Sequence, residues 1–256
     1  MALYEVLHGV VLRETLSKEA DKILTVLTAE KGKLTVIARG ARRKNSRLTA
    51  ASELYVYSEM TAYESHGYMM LTEASTTELF SGLRSDIGCL SLANYFAELT
   101  ETLAGEGEDA AELLQHLLNA FYALGELKKP PEQVKAAFEL RLMTIAGFAP
   151  LLNACMACGG AVEGNASFDL PGGGVLCEDC ARQRGGTPLS GASLAALRHI
   201  VSAPAKKLYA FALEGEALAE TGRLTERYTA AQLDRRFSSL DFYKALKTNT
   251  ISDISR

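Results

Sequence analysis

Apolar and polar residues alternate with a period of two over residues 4–75, and turn residues interrupt the pattern at short intervals. That is the pattern of strands half buried against a core. Strands are predicted at 4–12, 22–28, 33–39, 54–60 and 68–74. Lys31-Gly32 supplies a hairpin between the second and third. In the third strand Leu34, Val36 and Ala38 share one face; Lys33, Thr35 and Arg39 share the other, with Ile37 an apolar exception. In the fourth, Leu54 and Val56 are expected to oppose Tyr55 and Tyr57. Five short strands of this kind fit a small closed barrel, and the OB-fold is a five-stranded barrel that binds nucleic acids.

From residue 78 the apolar spacing becomes helical. Leu92, Phe96, Leu99 and Leu103 recur at helical intervals, and Gly105-Glu106-Gly107 breaks the run. Leu113, Leu114, Leu117, Leu118, Phe121 and Leu124 make a second helix ending at Gly125. Pro131 opens a third, with Val134, Phe138, Leu142 and Ile145 as its stripe and Gly147 as its stop. Ser190 is placed to cap a helix running to Ser202, before Pro204. Thr229 is placed to cap a last helix over 230–246 that buries Leu233, Phe237, Leu240 and Tyr243, with 249–256 as a loose tail. The expected class is therefore α+β: an OB-fold domain over 1–77, then a helical domain over 78–256.

Charge divides these parts. Lys31, Lys33, Arg39, Arg42, Arg43, Lys44 and Arg47 fall within residues 31–47 with no acid among them. One-signed charge in a loop leaving a barrel strand suits phosphates. Lys33, Arg39, Arg42, Arg43, Lys44 and Arg47 are the candidate DNA-binding residues; the alternative is a solvated loop. Tyr55, Tyr57, Tyr63 and Tyr68 are candidate stacking platforms for unpaired bases or simply core residues. Residues 48–125 reverse the balance, with twelve Asp and Glu against the single base Arg84. That surface should repel DNA and could suit a basic partner.

Four of the five cysteines stand as Cys155-Met156-Ala157-Cys158 and Cys177-Glu178-Asp179-Cys180. Two Cys-x-x-Cys turns at this separation can aim four thiolates at one tetrahedral ion. Two disulfides could use the same cysteines, but nothing in the sequence suggests export, and a redox Cys-x-x-Cys normally comes singly; the expected ion is Zn2+, structural because four sulfurs leave no open position. The site falls in an insertion over 150–187. Gly159 follows the first pair where the turn favours positive φ, and 171–174 reads as a hairpin turn before the second. The fifth cysteine, Cys89, lies on an apolar helical pattern and is expected to be buried.

The N-terminus has no basic region followed by an apolar run, and the uncharged stretch 142–162 is broken by Pro150, Asn153 and glycines. A soluble cytoplasmic protein is expected. No phosphate-binding Gly-x-x-x-x-Gly-Lys-Ser/Thr loop and no Gly-x-Ser-x-Gly elbow occurs, and the four histidines are scattered. No catalytic constellation is apparent, so no enzymatic activity is expected.

Gly40-Ala41-Arg42-Arg43 follows the barrel strands, and Phe138-Glu139-Leu140-Arg141-Leu142-Met143, Gly147-Phe148-Ala149-Pro150 and Cys155-Met156-Ala157-Cys158-Gly159 follow in the helical part. In these segments and in the order of its parts the chain resembles the RecO family of DNA repair proteins. The resemblance implies a recombination mediator that binds single- and double-stranded DNA and anneals complementary strands without ATP. It further implies work with RecR, contact with the acidic C-terminal tail of single-stranded-DNA-binding protein (SSB), help to RecA in loading on SSB-coated DNA, and association with the nucleoid during repair. Rival classes are an OB-plus-zinc RNA-binding factor and a nuclease needing clustered carboxylates around Mg2+.

Overall fold

The structure, a computed structural model, describes residues 3–254, with side chains through Thr248. By contacts the chain forms two compact units: Met1–Glu126 with Phe237–Arg256, and Leu127–Arg236.

The first unit begins with the expected five-stranded barrel. Strands β1 (Tyr4–Ser17), β2 (Asp21–Thr28), β3 (Gly32–Ala38), β4 (Tyr57–Ser65) and β5 (Tyr68–Glu78) close in the order β1-β2-β3-β5-β4. All ladders are antiparallel except β3 with β5. β1 pairs with β2 and β4, and an irregularity between Val11 and Arg13 lets so long a strand bend around the barrel. Inward positions Leu7, Val11, Leu24, Val26, Val36, Ala38, Met60, Ala62, Met69 and Leu71 fill the interior.

The fourth strand starts at Tyr57, not at 54. Tyr55 sits in the left-handed region at φ 65°, which breaks the extended backbone before the ladder begins. Its ring is buried edge-to-face on Phe121, and its hydroxyl donates to Asn94 Oδ1 at 3.2 Å.

After the barrel come α1 (Ser81–Arg84), α2 (Ile87–Leu103), α3 (Ala111–Gly125) and, from the far end of the chain, α8 (Ser238–Ile254). Asp86 caps α2 by accepting from the Cys89 N–H at 2.7 Å. Cys89 is half-buried, a correction to the expected burial: it lies in the exposed first turn, ahead of Leu92, Phe96 and Leu99, which are fully buried. α1 meets α3 through two glycines; a Cβ on Gly82 would run into the Gly125 carbonyl oxygen.

In the second unit α4 (Pro131–Ile145) is buried on nearly every side, charged residues included. Lys135 Nζ lies 2.8 Å from Glu139 and 3.1 Å from Glu226. The Thr225 hydroxyl donates to Glu139 at 2.7 Å. Burial pulls the Lys135 ammonium toward neutrality, but the two carboxylates more than offset it and leave its pKa raised. Arg141 donates to the Val201 and Ala203 carbonyls, tying α4 to the end of α6 (Gly191–Ser202). Ser190 caps α6 as expected, accepting from the Ser193 N–H.

The end of the chain differs from expectation. There are two helices, α7 (Gly215–Leu233) and α8, where one was expected over 230–246. Asp234, left-handed at φ 45°, ends α7. Thr229 is therefore a buried interior residue and not a cap. α8 continues to Ile254 through the expected loose tail; residues 255–256 lie outside the described residues.

Candidate metal cluster and nucleic-acid surface

The cysteine segment folds as two knuckles around a small sheet of β7 (Gly174–Leu176), β6 (Ala166–Asp169) and β8 (Thr187–Leu189), in that order. In the first knuckle Cys155 N–H donates to the Gly160 carbonyl and Gly159 N–H to the Cys155 carbonyl, both at 2.8 Å. Gly159 takes φ 73°, as its position required. The knuckle is fixed to the sheet by the Met156 N–H on the Val175 carbonyl. The β6–β7 turn then delivers Cys177 and Cys180 at the start of α5 (Glu178–Arg184).

All four sulfurs lie within 4.8 Å of one another, with Cys158 and Cys177 3.9 Å apart. A tetrahedron with metal–sulfur bonds of about 2.3 Å has sulfurs roughly 3.8 Å apart, so the cage matches a single ion. The electrostatics agree. Backbone N–H groups of Cys177, Cys158 and Ala157 aim at the Cys155 sulfur and hold its thiol down at about 6. Hydrogen bonding to the Cys177 and Cys155 thiols, with burial added, holds Cys180 up at about 12. This donor set can bind a metal ion.

The basic segment is a shaped loop. After β3 the chain turns at Gly40, φ 65°, whose N–H donates to Asp21 Oδ1 at 2.7 Å. The Arg42 N–H bonds the Ala20 carbonyl, and its guanidinium bonds the Glu19 carbonyl at 3.1 Å. The Thr49 hydroxyl donates to the Ala41 carbonyl at 2.8 Å. Ala41 and Leu48 plug into the barrel core. The loop is thus pinned at both ends while Arg39, Arg42, Arg43, Lys44 and Arg47 are exposed. Among the described residues Arg39, Lys44 and Arg47 have no ion-pair partner.

Lys33 stands apart from this group. It is half-buried, and its ammonium donates to the Glu101 carbonyl at 3.1 Å. Lys31 pairs with Glu5. Of the four tyrosines, Tyr55 is buried and its hydroxyl is pushed up to about 12 by burial, against a small opposing effect of Arg84. Tyr57 is half-buried, raised by burial and then by Glu30. Tyr63 is half-buried, and Tyr68 is exposed.

Comparison with known families decides the assignment. A family model described as Recombination protein O N terminal matches residues 1–80, and one described as Recombination protein O C terminal matches residues 84–241. The chain belongs to the RecO family. The protein named DNA repair protein RecO of Symbiobacterium thermophilum is 34% identical over 252 residues, covering 97% of this chain and 99% of that one. That of Acetivibrio thermocellus is 31% identical over 239 residues, covering 93% and 95%. Membership of the RecO family gives this chain a role in DNA repair and recombination. Among the described residues no helix is long and apolar enough to cross a membrane.

Sequence reasoning did not single out Tyr4 beside the four candidate tyrosines. Tyr4 packs edge-to-face on Tyr63, with ring centroids 5.5 Å apart. The signal was available: Tyr4 and Val6 alternate with Glu5 and Leu7, so both belong on the outer face of β1.

Proposed function

We propose that the protein is a recombination mediator that binds single- and double-stranded DNA through the pinned basic loop, without enzymatic chemistry. The loop after β3 is the observation that carries this reading. Arg39, Arg42, Arg43, Lys44 and Arg47 project one sign of charge from a backbone already held by the barrel, so little order has to be created on binding. Lys33 joins this set only at its margin, since its ammonium is already on the Glu101 carbonyl. Phosphate contacts of this kind carry no sequence information, which suits a protein acting on any damaged strand.

The cysteine cage holds one structural Zn2+ through Cys155, Cys158, Cys177 and Cys180, fixing the turns of the second unit and leaving no position for substrate. Family membership supports the remaining parts of the reading. The protein anneals complementary strands without ATP, works with RecR, contacts the SSB C-terminal tail and helps RecA load on SSB-coated single strands at the nucleoid.

The test is annealing of complementary SSB-coated strands in the absence of ATP and Mg2+. Annealing that depends on the protein is expected. Binding confined to RNA would move the protein to an RNA-binding role, and Mg2+-dependent cleavage would make it a nuclease.

A further inference from the structure

The barrel carries a second surface beside the basic loop. Strand register sets it out. Tyr4 of β1 is opposite Tyr63 of β4, Tyr63 opposite Met70 of β5, Met70 beside Ile37 of β3, and Ile37 opposite Ile23 of β2. Their chain neighbours Val36, Ala38, Ala62, Met69 and Leu71 fill the core, so this row faces outward. With strands about 4.8 Å apart, five residues span roughly 20 Å of barrel surface. Tyr68 lies two residues before Met70 on the same face. Tyr4 is 59% exposed and Tyr68 47%, with Val6 beside them at 53%, whereas Tyr63, Ile37 and Ile23 are half-buried and Met70 is buried, so the surface open to solvent is the tyrosine end of the row.

We infer that Tyr4, Tyr63 and Tyr68 form a stacking platform for the unpaired bases of single-stranded DNA, and that this platform makes the barrel favour single over double strands. The inference rests on the reading of the loop as a phosphate-binding element. Three observations carry it. The Tyr4 and Tyr63 rings meet at 65°, an edge-to-face pair that leaves ring surface open to a third aromatic plane. Arg39 follows Ile37 by two residues, so the exposed cations of the loop begin on the same outer face of the barrel as the tyrosines, across the buried Met70. The carboxylates of Glu59 and Glu73 lie farther along β4 and β5, opposite His8 and Thr61. They would repel phosphates at that end and leave the approach from Arg39 open.

A strand with its backbone on the loop can lay bases on the tyrosines, because every base has a π face and stacking is indifferent to sequence. A duplex cannot, since its bases are already stacked on each other. Phosphate contact at the loop is common to both forms, and ring contact is open to one of them.

The experiment compares three probes of equal strand length by fluorescence anisotropy at low salt: a thymine oligonucleotide, an abasic strand with the same phosphates, and a blunt duplex. Wild type should bind the base-bearing strand at least about tenfold more tightly than the abasic one, given that stacking on one aromatic side chain contributes on that order. The double variant Tyr63→Ala, Tyr68→Ala should erase this difference and leave abasic and duplex binding unchanged. The variant Tyr63→Phe, Tyr68→Phe keeps the rings and should retain the preference, which separates stacking from a lost hydroxyl. Equal wild-type affinity for base-bearing and abasic strands would overturn the platform while leaving the phosphate reading standing. Parallel weakening on all three probes in the alanine variant would overturn it in favour of a structural or protein-binding surface. Failure of wild type to bind any of the three would remove both readings.

Discussion

Arg39, Lys44 and Arg47 are exposed, have no ion-pair partner among the described residues and support no part of the loop backbone. Arg42 differs, because its guanidinium holds the Glu19 carbonyl. Arg43 also differs: its side chain lies over Gly40. The triple variant Arg39→Ala, Lys44→Ala, Arg47→Ala therefore removes charge and leaves the loop pinned by Asp21, Ala20 and Thr49. Each phosphate contact contributes a slope of about −0.7 in log affinity against log salt on a single strand. Three contacts make about two units of slope. Between 50 and 200 mM salt, wild type should lose roughly 20-fold more affinity than the variant. A salt titration of labelled single strands of unrelated sequence measures this, with thermal unfolding as the control. Melting should be unchanged and the loss equal across sequences. Parallel titrations for wild type and variant would refute the reasoning and place the phosphates elsewhere.

Metal analysis of the purified protein should find one zinc per chain; Cys158→Ser should lower that content and destabilise the second unit while DNA affinity holds. Glu139→Leu leaves the Lys135 ammonium buried with Glu226 as its remaining carboxylate in this cluster, and should cost about 3–5 kcal/mol in denaturant unfolding. Adding Lys135→Met should recover most of that loss. Gly82→Ala forces a Cβ against the Gly125 backbone and should cost about 1–3 kcal/mol, visible as a lower melting temperature. Glu220 is raised by burial but lowered more by hydrogen bonds from Ser190 and Ser193, so its net pKa falls below 4.5. Its stabilisation is present above the unfolded carboxylate value and is lost as pH falls through the lowered folded one. Glu220→Gln should therefore flatten the acid side of the second unit's stability profile, and an unaltered profile would show that this carboxylate is not linked to folding.

The barrel was legible because two short runs rich in apolar and β-branched residues flank Lys31-Gly32, with Leu34, Val36 and Ala38 alternating against Lys33, Thr35 and Arg39, and the cysteine cage because its spacing is itself a geometric statement. The start of β4 was not. Leu54, Tyr55 and Val56 have the composition of a strand, and nothing local shows that Tyr55 takes φ 65° to put its ring on Phe121, more than sixty residues away. α7 was missed because its buried face carries hydroxyls. Thr221, Leu224, Thr225 and Tyr228 recur at helical spacing, yet the threonines read as polar. The apolar series Leu233, Phe237, Leu240 and Tyr243 then suggested continuity across Asp234, where the helix stops. The basic loop was legible as charge, but the separation of Lys33 from it was not, because that depends on a carbonyl at the end of α2.

The return of α8 to the first unit has a consequence for synthesis. α2 leaves the ribosome long before the residues that cover it. Phe237 stacks on Tyr95 at 5.8 Å, and Ser239 is hydrogen-bonded to Glu98. These partners are made some 140 residues after the α2 residues they touch. At roughly 5–20 residues per second the interval is on the order of 10 s. During it the residues of Leu127–Arg236, the cysteine knuckles among them, are themselves being made, while the N-terminal unit stays open along one face of α2. The part of the chain that begins first is finished last, and a truncation before Phe237 would spare the cysteine cage yet leave the nascent barrel unit vulnerable to aggregation and proteolysis.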